Sequence, residues 1–127
     1  MATAFLITQV KGPNQDDWKK LKRVLSFVKG TLDDVRIIGA TNLQSIFMFV
    51  DASYAVYANM RGQTGGCLSM GHGVFHAKSS KQKINTKSST ETELVGVGEY
   101  LPYDLWALHF IEAQGYEIDE NILFSVL

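Results

Sequence analysis

The sequence is short of the residues that staple, anchor or disorder a chain. Cys67 is the only cysteine among 127 residues, which excludes a disulfide framework or a cysteine-based zinc site within one chain. A reducing compartment fits that usage. Two prolines and no low-complexity stretch argue against a disordered tail or linker. No apolar run approaches the roughly 20 residues of a membrane span. Met1 to Thr8 has neither a basic leader nor a long apolar stretch, so it makes a poor signal peptide. An intracellular chain with no membrane attachment is the expectation. There is no phosphate loop, dinucleotide fingerprint or nucleophile elbow. His72, His76 and His109 show no metal-ligand spacing.

What is present allows a real core. Apolar residues make up 46% of the chain, enough for one domain, or one domain with a short preceding segment. Net charge is −1, which predicts no general attraction to nucleic acid. The distribution is uneven. Residues 1–90 hold all 12 Lys and Arg against 5 acids, while residues 91–127 hold 8 acids and no Lys or Arg. Such a split can give one face that meets phosphates, although helices with ordinary solvated faces would produce it too.

Periodicity gives the elements. Pro13 to Asp17 reads as a helix start with Asx caps, and Trp18, Leu21, Leu25 and Val28 recur at helical spacing. Lys29-Gly30 supplies a cation and a C-cap glycine, so residues 16–29 form an amphipathic helix with a basic side at Lys19, Lys20, Lys22 and Arg23. Val35 to Ile38 is a short strand candidate. Ser45 to Asp51 is the strongest strand, and its unbroken apolar run predicts cover on both faces. Residues 52–65 read as loop. Gly66 to Met70 and Val74 to Ser79 pair around Gly71-His72-Gly73 as a hairpin. A helix begins near Ser89 or Thr90, where Thr90 and Glu93 fit a capping box. Leu94, Val97, Leu101, Leu105 and Leu108 form its expected buried stripe, and Pro102 predicts a kink or break. Trp18 and Trp106 are expected in the core. One more strand starts at Asn121. Strand, hairpin, long helix and strand describe an α/β fold, with a mixed α+β sheet.

Two acids stand in settings that suit a metal. Asp51 closes the apolar strand, where an unpaired carboxylate is costly to bury. Glu93 sits in the first turn of the long helix, from which it can face Asp51 across the sheet. The ordinary alternatives are a turn acid for Asp51 and a capping-box partner for Glu93, with Glu91 able to do similar work. Lys78, Lys81, Lys83 and Lys87 lie just before that helix. With Ser88, Ser89 and the helix N-terminus they could hold phosphates, or form a solvated basic loop.

The ordered motifs are more specific than any one of them. Val50-Asp51-Ala52-Ser53 comes first, then Arg61-Gly62-Gln63-Thr64-Gly65-Gly66. Lys78 to Lys83 and Ser88 to Leu94 follow, and Leu105-Trp106 comes last. This order resembles the ribonuclease H region of Ty1/copia-type retrotransposon Pol polyproteins, which lies C-terminal to the reverse transcriptase. Residues 1–44 resemble the segment joining polymerase to ribonuclease H, and residues 45–127 the nuclease domain.

The resemblance implies a ribonuclease H-like fold and hydrolysis of RNA in RNA·DNA hybrids with two divalent ions, Mg²⁺ or Mn²⁺. One metal would activate water and the other would stabilise the leaving oxygen. It makes Asp51 and Glu93 the catalytic, metal-holding acids. It makes Arg61, Lys78, Lys81, Lys83, Lys87, Ser88 and Ser89 the nucleic-acid-binding set, reading hybrid shape and phosphates. The departure lies at Ile122 to Leu127, where Val126 stands in place of the family's next aspartate and the later acid is absent. A truncated, incomplete domain is therefore expected, with weak metal binding and little or no nuclease activity. An expected alternative is a non-enzymatic nucleic-acid-binding or interaction fragment. Ile122, Leu123 and Phe124 would leave a sticky strand edge open to self-association.

Overall fold

A computed structural model describes residues 2–125. Two compact units divide the chain, Met1–Arg36 and Ile37–Leu127. Val126, which stands where the family aspartate is expected, lies outside the described residues, as does Leu127.

The first unit holds two helices, α1 (Ala2–Ile7) and α2 (Gln15–Gly30). Asn14 caps α2 as expected. Its side chain accepts from the Asp16 and Asp17 amides, and the Asp17 carboxylate accepts from the Asn14 amide at 3.1 Å. Gly30 lies inside the last turn, and Thr31 is the C-cap, its hydroxyl bonded to the Phe27 carbonyl. Trp18 is 62% exposed, so it is not a core residue here.

The second unit carries the sheet. Its strands are β1 (Gly39–Ala40), β2 (Ser45–Ser53), β3 (Gln63–Ser69), β4 (Gly71–His72), β5 (Val74–Lys81) and β6 (Glu120–Ser125), with α3 (Ser89–Ala113) between the last two. The four-stranded sheet runs β5-β3-β2-β6. β2 is antiparallel to β3, β3 is antiparallel to β5, and β6 is parallel to β2. The mixed α/β class and the hairpin are as expected. Val35 to Ile38 is not a strand; the turn dipeptide Gly71–His72 pairs with Gly39–Ala40 instead.

Two loop and strand boundaries differ from the sequence reading. β2 runs on through Asp51 to Ser53, and β3 already begins at Gln63. Of the glycines that suggested a loop, Gly62 makes room for Gln82 Oε1, 2.5 Å from where a Cβ would stand, while Gly65 has ordinary space. A Cβ on Gly66 would lie 2.4 Å from the Tyr100 ring of α3. A close-packed β3 strand therefore reads like a turn.

The helix also differs. α3 does not break at Pro102. Gly96 and Tyr100 before the proline, and Asp104 and Ala107 after it, are all buried, so tertiary packing holds both halves. The buried stripe is Thr92, Glu93, Gly96, Tyr100, Asp104 and Ala107. Leu94 is 73% exposed and Leu101 and Leu105 lie outside, while Val97 and Leu108 pack at the core's border. Close approach explains the shift, because a Cβ on Gly96 would already sit 3.1 Å from Ala52 Cβ. Small and hydroxyl residues fit that gap where leucines do not. Trp106 is likewise exposed and stacks on Phe110.

Ile46, Met48, Val50, Leu68, Tyr100 and Ala107 form the core between α3 and one face of the sheet. The alternate β2 residues face the other way, and Phe49 is half-exposed there. β2 is a central strand, but within this unit only one of its faces is covered. α3 is the helix packed on the sheet, and it packs on that face.

Candidate metal and nucleic-acid site

Ser88, not Thr90, caps α3. Its hydroxyl accepts from the Glu91 amide at 3.1 Å, and the Glu91 carboxylate accepts from the Lys87 amide at 2.6 Å. Glu91 therefore does the capping work that the sequence offered to Glu93. Glu93 is left to turn inward. It is buried, and its Oε1 accepts from the Ala52 amide at 3.1 Å. Its Oε2 is buried with no hydrogen-bond partner among the described residues.

Ala52 follows Asp51 directly. Ala52 faces α3, so strand alternation turns Asp51 to the uncovered face, where it is exposed. The described β2–β6 ladder ends at Val50 and Ser125, just before this point. Asp51 and Glu93 therefore meet at one backbone step of β2, from its two sides. A buried carboxylate oxygen with nothing to bond is expensive, and such sites occur where a ligand or cation completes the set. Ser125, beside Val50, also has a buried, unpartnered hydroxyl among the described residues. No group of three or more His, Cys, Asp or Glu side chains converges among the described residues.

The uncovered face of the sheet is grooved. Gly65, Cys67, Ala77 and Ser79 make a low floor between Phe49, Phe124 and Asp51, enclosing about 600 Å³. Register places Asp51, Gly65 and Ser79 in one row across β2, β3 and β5, and Ser53, Gln63 and Lys81 in the next. A polar chain links the rows. The Tyr57 hydroxyl donates to Gln63 Oε1, and Gln63 Nε2 donates to Ser79 Oγ at 2.7 Å. Burial raises the Tyr57 pKa, which keeps that hydroxyl a donor.

Of the expected nucleic-acid-binding residues, Lys78, Lys81 and Lys83 line one pocket beside α3, with Glu99, Tyr100 and Tyr103. Lys81 Nζ sits 4.3 Å from the Tyr57 ring centre. Lys78, one of the β5 residues opposite Gly66, lies 4.4 Å over the Tyr103 ring and donates to its hydroxyl. Lys83 lies beyond β5, and its amide donates to Glu99 at 3.4 Å. Lys87 and Ser88 stand at the start of α3, and Ser89 is exposed in its first turn. Arg61 is half-buried in the loop after β2, where its carbonyl accepts from the Tyr57 amide. They do not form one basic loop, because Lys78 and Lys81 belong to a strand.

Tyr57, Gln63 and Gln82 were not picked out from the sequence as site residues. Gln63 and Gln82 lay inside the motifs Arg61 to Gly66 and Lys78 to Lys83. A glutamine in such a basic or glycine-rich stretch gives no sign that it will be buried.

Comparison with known proteins gives the chain its relatives. The retrovirus-related Pol polyprotein from transposon RE2 of Arabidopsis thaliana is 30% identical over 107 residues, covering 84% of this chain and 7% of that protein. An uncharacterized mitochondrial protein of the same plant is 33% identical over 93 residues, covering 72% of this chain and 39% of that protein. The retrovirus-related Pol polyprotein from transposon TNT 1-94 of Nicotiana tabacum is 23% identical over 116 residues, covering 91% of this chain and 9% of that protein. No family model and no solved structure matches. No helix among the described residues is long and apolar enough to cross a membrane. The chain spans a small part of its Pol relatives, and its homologues include retrovirus-related Pol polyproteins of retrotransposons, at low identity.

Proposed function

We propose that residues 45–127 are a ribonuclease H-like module of a Ty1/copia-type Pol polyprotein. Asp51 and Glu93 are its metal-holding acids, and residues 1–44 are the connection from the polymerase. The observation that carries this reading is the Glu93 carboxylate seated on the Ala52 amide beside Asp51, with one buried oxygen left unpaired. The sheet order supports it, since a hairpin-paired central strand with a parallel neighbour brings an acid on β2 and an acid on α3 to the same strand end.

Carboxylate oxygens are the donors that Mg²⁺ and Mn²⁺ take, so Asp51 and Glu93 fit a hard divalent cation. The chemistry such an ion supplies when bound is Lewis-acid assistance to phosphodiester hydrolysis. Two carboxylates on opposite sides of a strand are too few to hold a pair of such ions. This chain by itself therefore binds metal weakly and cleaves RNA·DNA hybrid little or not at all. Asp51 and Glu93 would hold the ion, and the lysines around β5 would hold the hybrid backbone.

A second reading is nucleic-acid binding without cleavage. The aromatic-backed lysines favour it: Lys81 on Tyr57 and Lys78 on Tyr103 hold their charges in place, as a phosphate-tracking surface requires. A hybrid-cleavage assay with Mg²⁺ or Mn²⁺ separates the two. Cleavage that is lost in Asp51→Asn would establish an active nuclease and overturn the inactivity expected here. Binding without cleavage, weakening linearly on a log–log plot against salt and reduced by Lys81→Glu, supports the second. Absence of hybrid binding defeats the second reading, and the first is then decided by whether Mn²⁺ binds at Asp51 and Glu93.

A further inference from the structure

Gln82 is completely buried, yet its carbonyl oxygen has no hydrogen-bond partner among the described residues. Its amide nitrogen is fully used. Nε2 donates to the Thr92 carbonyl at 2.9 Å and to Thr64 Oγ1 at 3.0 Å. Its backbone amide donates to the Gly62 carbonyl at 2.9 Å, which carries the β3–β5 pairing one step further. Gly62 makes room for it: a Cβ there would lie 2.5 Å from Gln82 Oε1 and 2.9 Å from Thr92 Cγ2.

The two acceptors are not arbitrary. Thr92 immediately precedes Glu93. Thr64 is the cross-strand partner of Ala52. The Ala52 amide in turn holds Glu93 Oε1. A closed ring results, running Gln82, Thr92, Glu93, Ala52, Thr64 and back to Gln82. Thr92 is further pinned by its hydroxyl, which donates to the Ser88 carbonyl at 2.8 Å and contacts Thr86 Oγ1 at 2.5 Å. A methionine would fill the same space without leaving an unpaired carbonyl, so packing alone does not call for glutamine.

We infer that Gln82 is a positioning residue for Glu93. Its amide ties the first turn of α3 to β3, and this sets the helical phase that brings the Glu93 carboxylate onto the Ala52 amide beside Asp51. The inference rests on the reading of Glu93 as a metal-holding acid, but its main test does not need metal.

The test uses the full 127-residue chain and its Gln82→Met variant, followed by NMR. The expected result is a folded variant in which the Ala52 amide exchanges about tenfold or more faster, while Leu68 in the core of β3 keeps its protection. Mn²⁺ broadening at Ala52 and Glu93 should fall with it. Unchanged Ala52 exchange and broadening would overturn the inference, as would a uniform rise in exchange across β3 and α3, which marks mere destabilisation. If Gln82→Met does not fold, the parent chain decides. Gln82 side-chain amide protons that exchange as slowly as the Ala52 amide support the ring, and exchange at the rate of an exposed glutamine refutes it. Absence of Mn²⁺ broadening in the parent chain defeats the metal reading alone and leaves the Ala52 exchange test standing.

Discussion

The carboxylate of Glu93 accepts a 3.1 Å hydrogen bond from the amide of Ala52, the residue after Asp51. An acid on a helix and an acid on a strand, 42 positions apart in the numbering, thereby share one backbone step. The Glu91 side chain makes this possible by taking the capping role at the helix start.

Removing either acid should remove what divalent-ion binding there is. In a Mn²⁺ titration followed by NMR, the parent chain is expected to show broadening centred on Asp51, Ala52 and Glu93, only at a large excess of ion. Asp51→Asn and Glu93→Gln should each abolish it. Broadening that persists in both variants would mean the ion sits elsewhere.

Glu93→Gln should leave the fold intact or make it more stable, by up to about 1 kcal/mol, because it removes a buried charge with an unpaired oxygen and keeps an acceptor for Ala52. Glu93→Ala should instead cost about 1–2 kcal/mol, since it strands the Ala52 amide. Urea denaturation of the three chains measures both. A buried acid kept at a cost in stability is what a functional site predicts.

Gly66→Ala should be strongly disruptive for its size. The added Cβ would meet the Tyr100 ring at 2.4 Å, against a fully formed helix–sheet contact. A loss of about 1–3 kcal/mol is expected from overpacking of this kind, read as a lower urea midpoint. A neutral substitution would mean that α3 sits further from β3.

Tyr100 should make the fold sensitive to alkali. Burial, then the neighbouring Cys67, Asp104 and Tyr103, raise its pKa above the ordinary value of 10.0. The folded state holds the phenolic proton more tightly than the unfolded chain does. The resulting stability is complete below about pH 10 and is lost as pH rises through the interval between the two pKa values. Tyr100→Phe, which gives up the 2.8 Å contact with His76 Nδ1, should be less stable near neutrality and show a flatter decline above pH 10. Denaturant midpoints across that range test this.

Among the described residues β6 stands at the sheet edge, with Leu123 and Phe124 half-exposed. Self-association through that edge is expected at high concentration, and Leu123→Lys should reduce it. A monodisperse monomer of the parent chain in light scattering would count against this edge as a contact.

Much of this architecture was legible in the sequence. The alternating and unbroken apolar runs of β2 and of the hairpin, and the Asn14-to-Asp17 start of α2, encode local structure through side-chain period and capping chemistry. Asp51 and Glu93 could be named as candidates because they fall within an ordered set of motifs that resembles a known family, while each alone has an ordinary reading as a turn acid or a capping partner. The stripe of α3 was not legible. Apolar residues occur all round that helix, so periodicity favoured Leu94, Leu101 and Leu105. The face that packs was chosen by how closely Gly96 lets the backbone approach Ala52. The start of β3 was disguised as a loop by Gly62 and Gly65, of which Gly62 is small to fit Gln82 and not to turn the chain.

The sequence by itself determined the main elements, α2, β2, the hairpin, α3 and β6, their order, and which residue types could do chemistry, since these depend on near neighbours along the chain. Glu91 caps the helix through contacts local to its start, but tertiary structure alone decided that Glu93 turns onto the Ala52 amide. It also decided that Lys78 and Lys81 stand on a strand, and that Gln82 closes a ring through Thr64 and Thr92. Those outcomes turn on distances between segments far apart in sequence, where a few tenths of an ångström decide which hydrogen bonds form, and no local pattern carries that information.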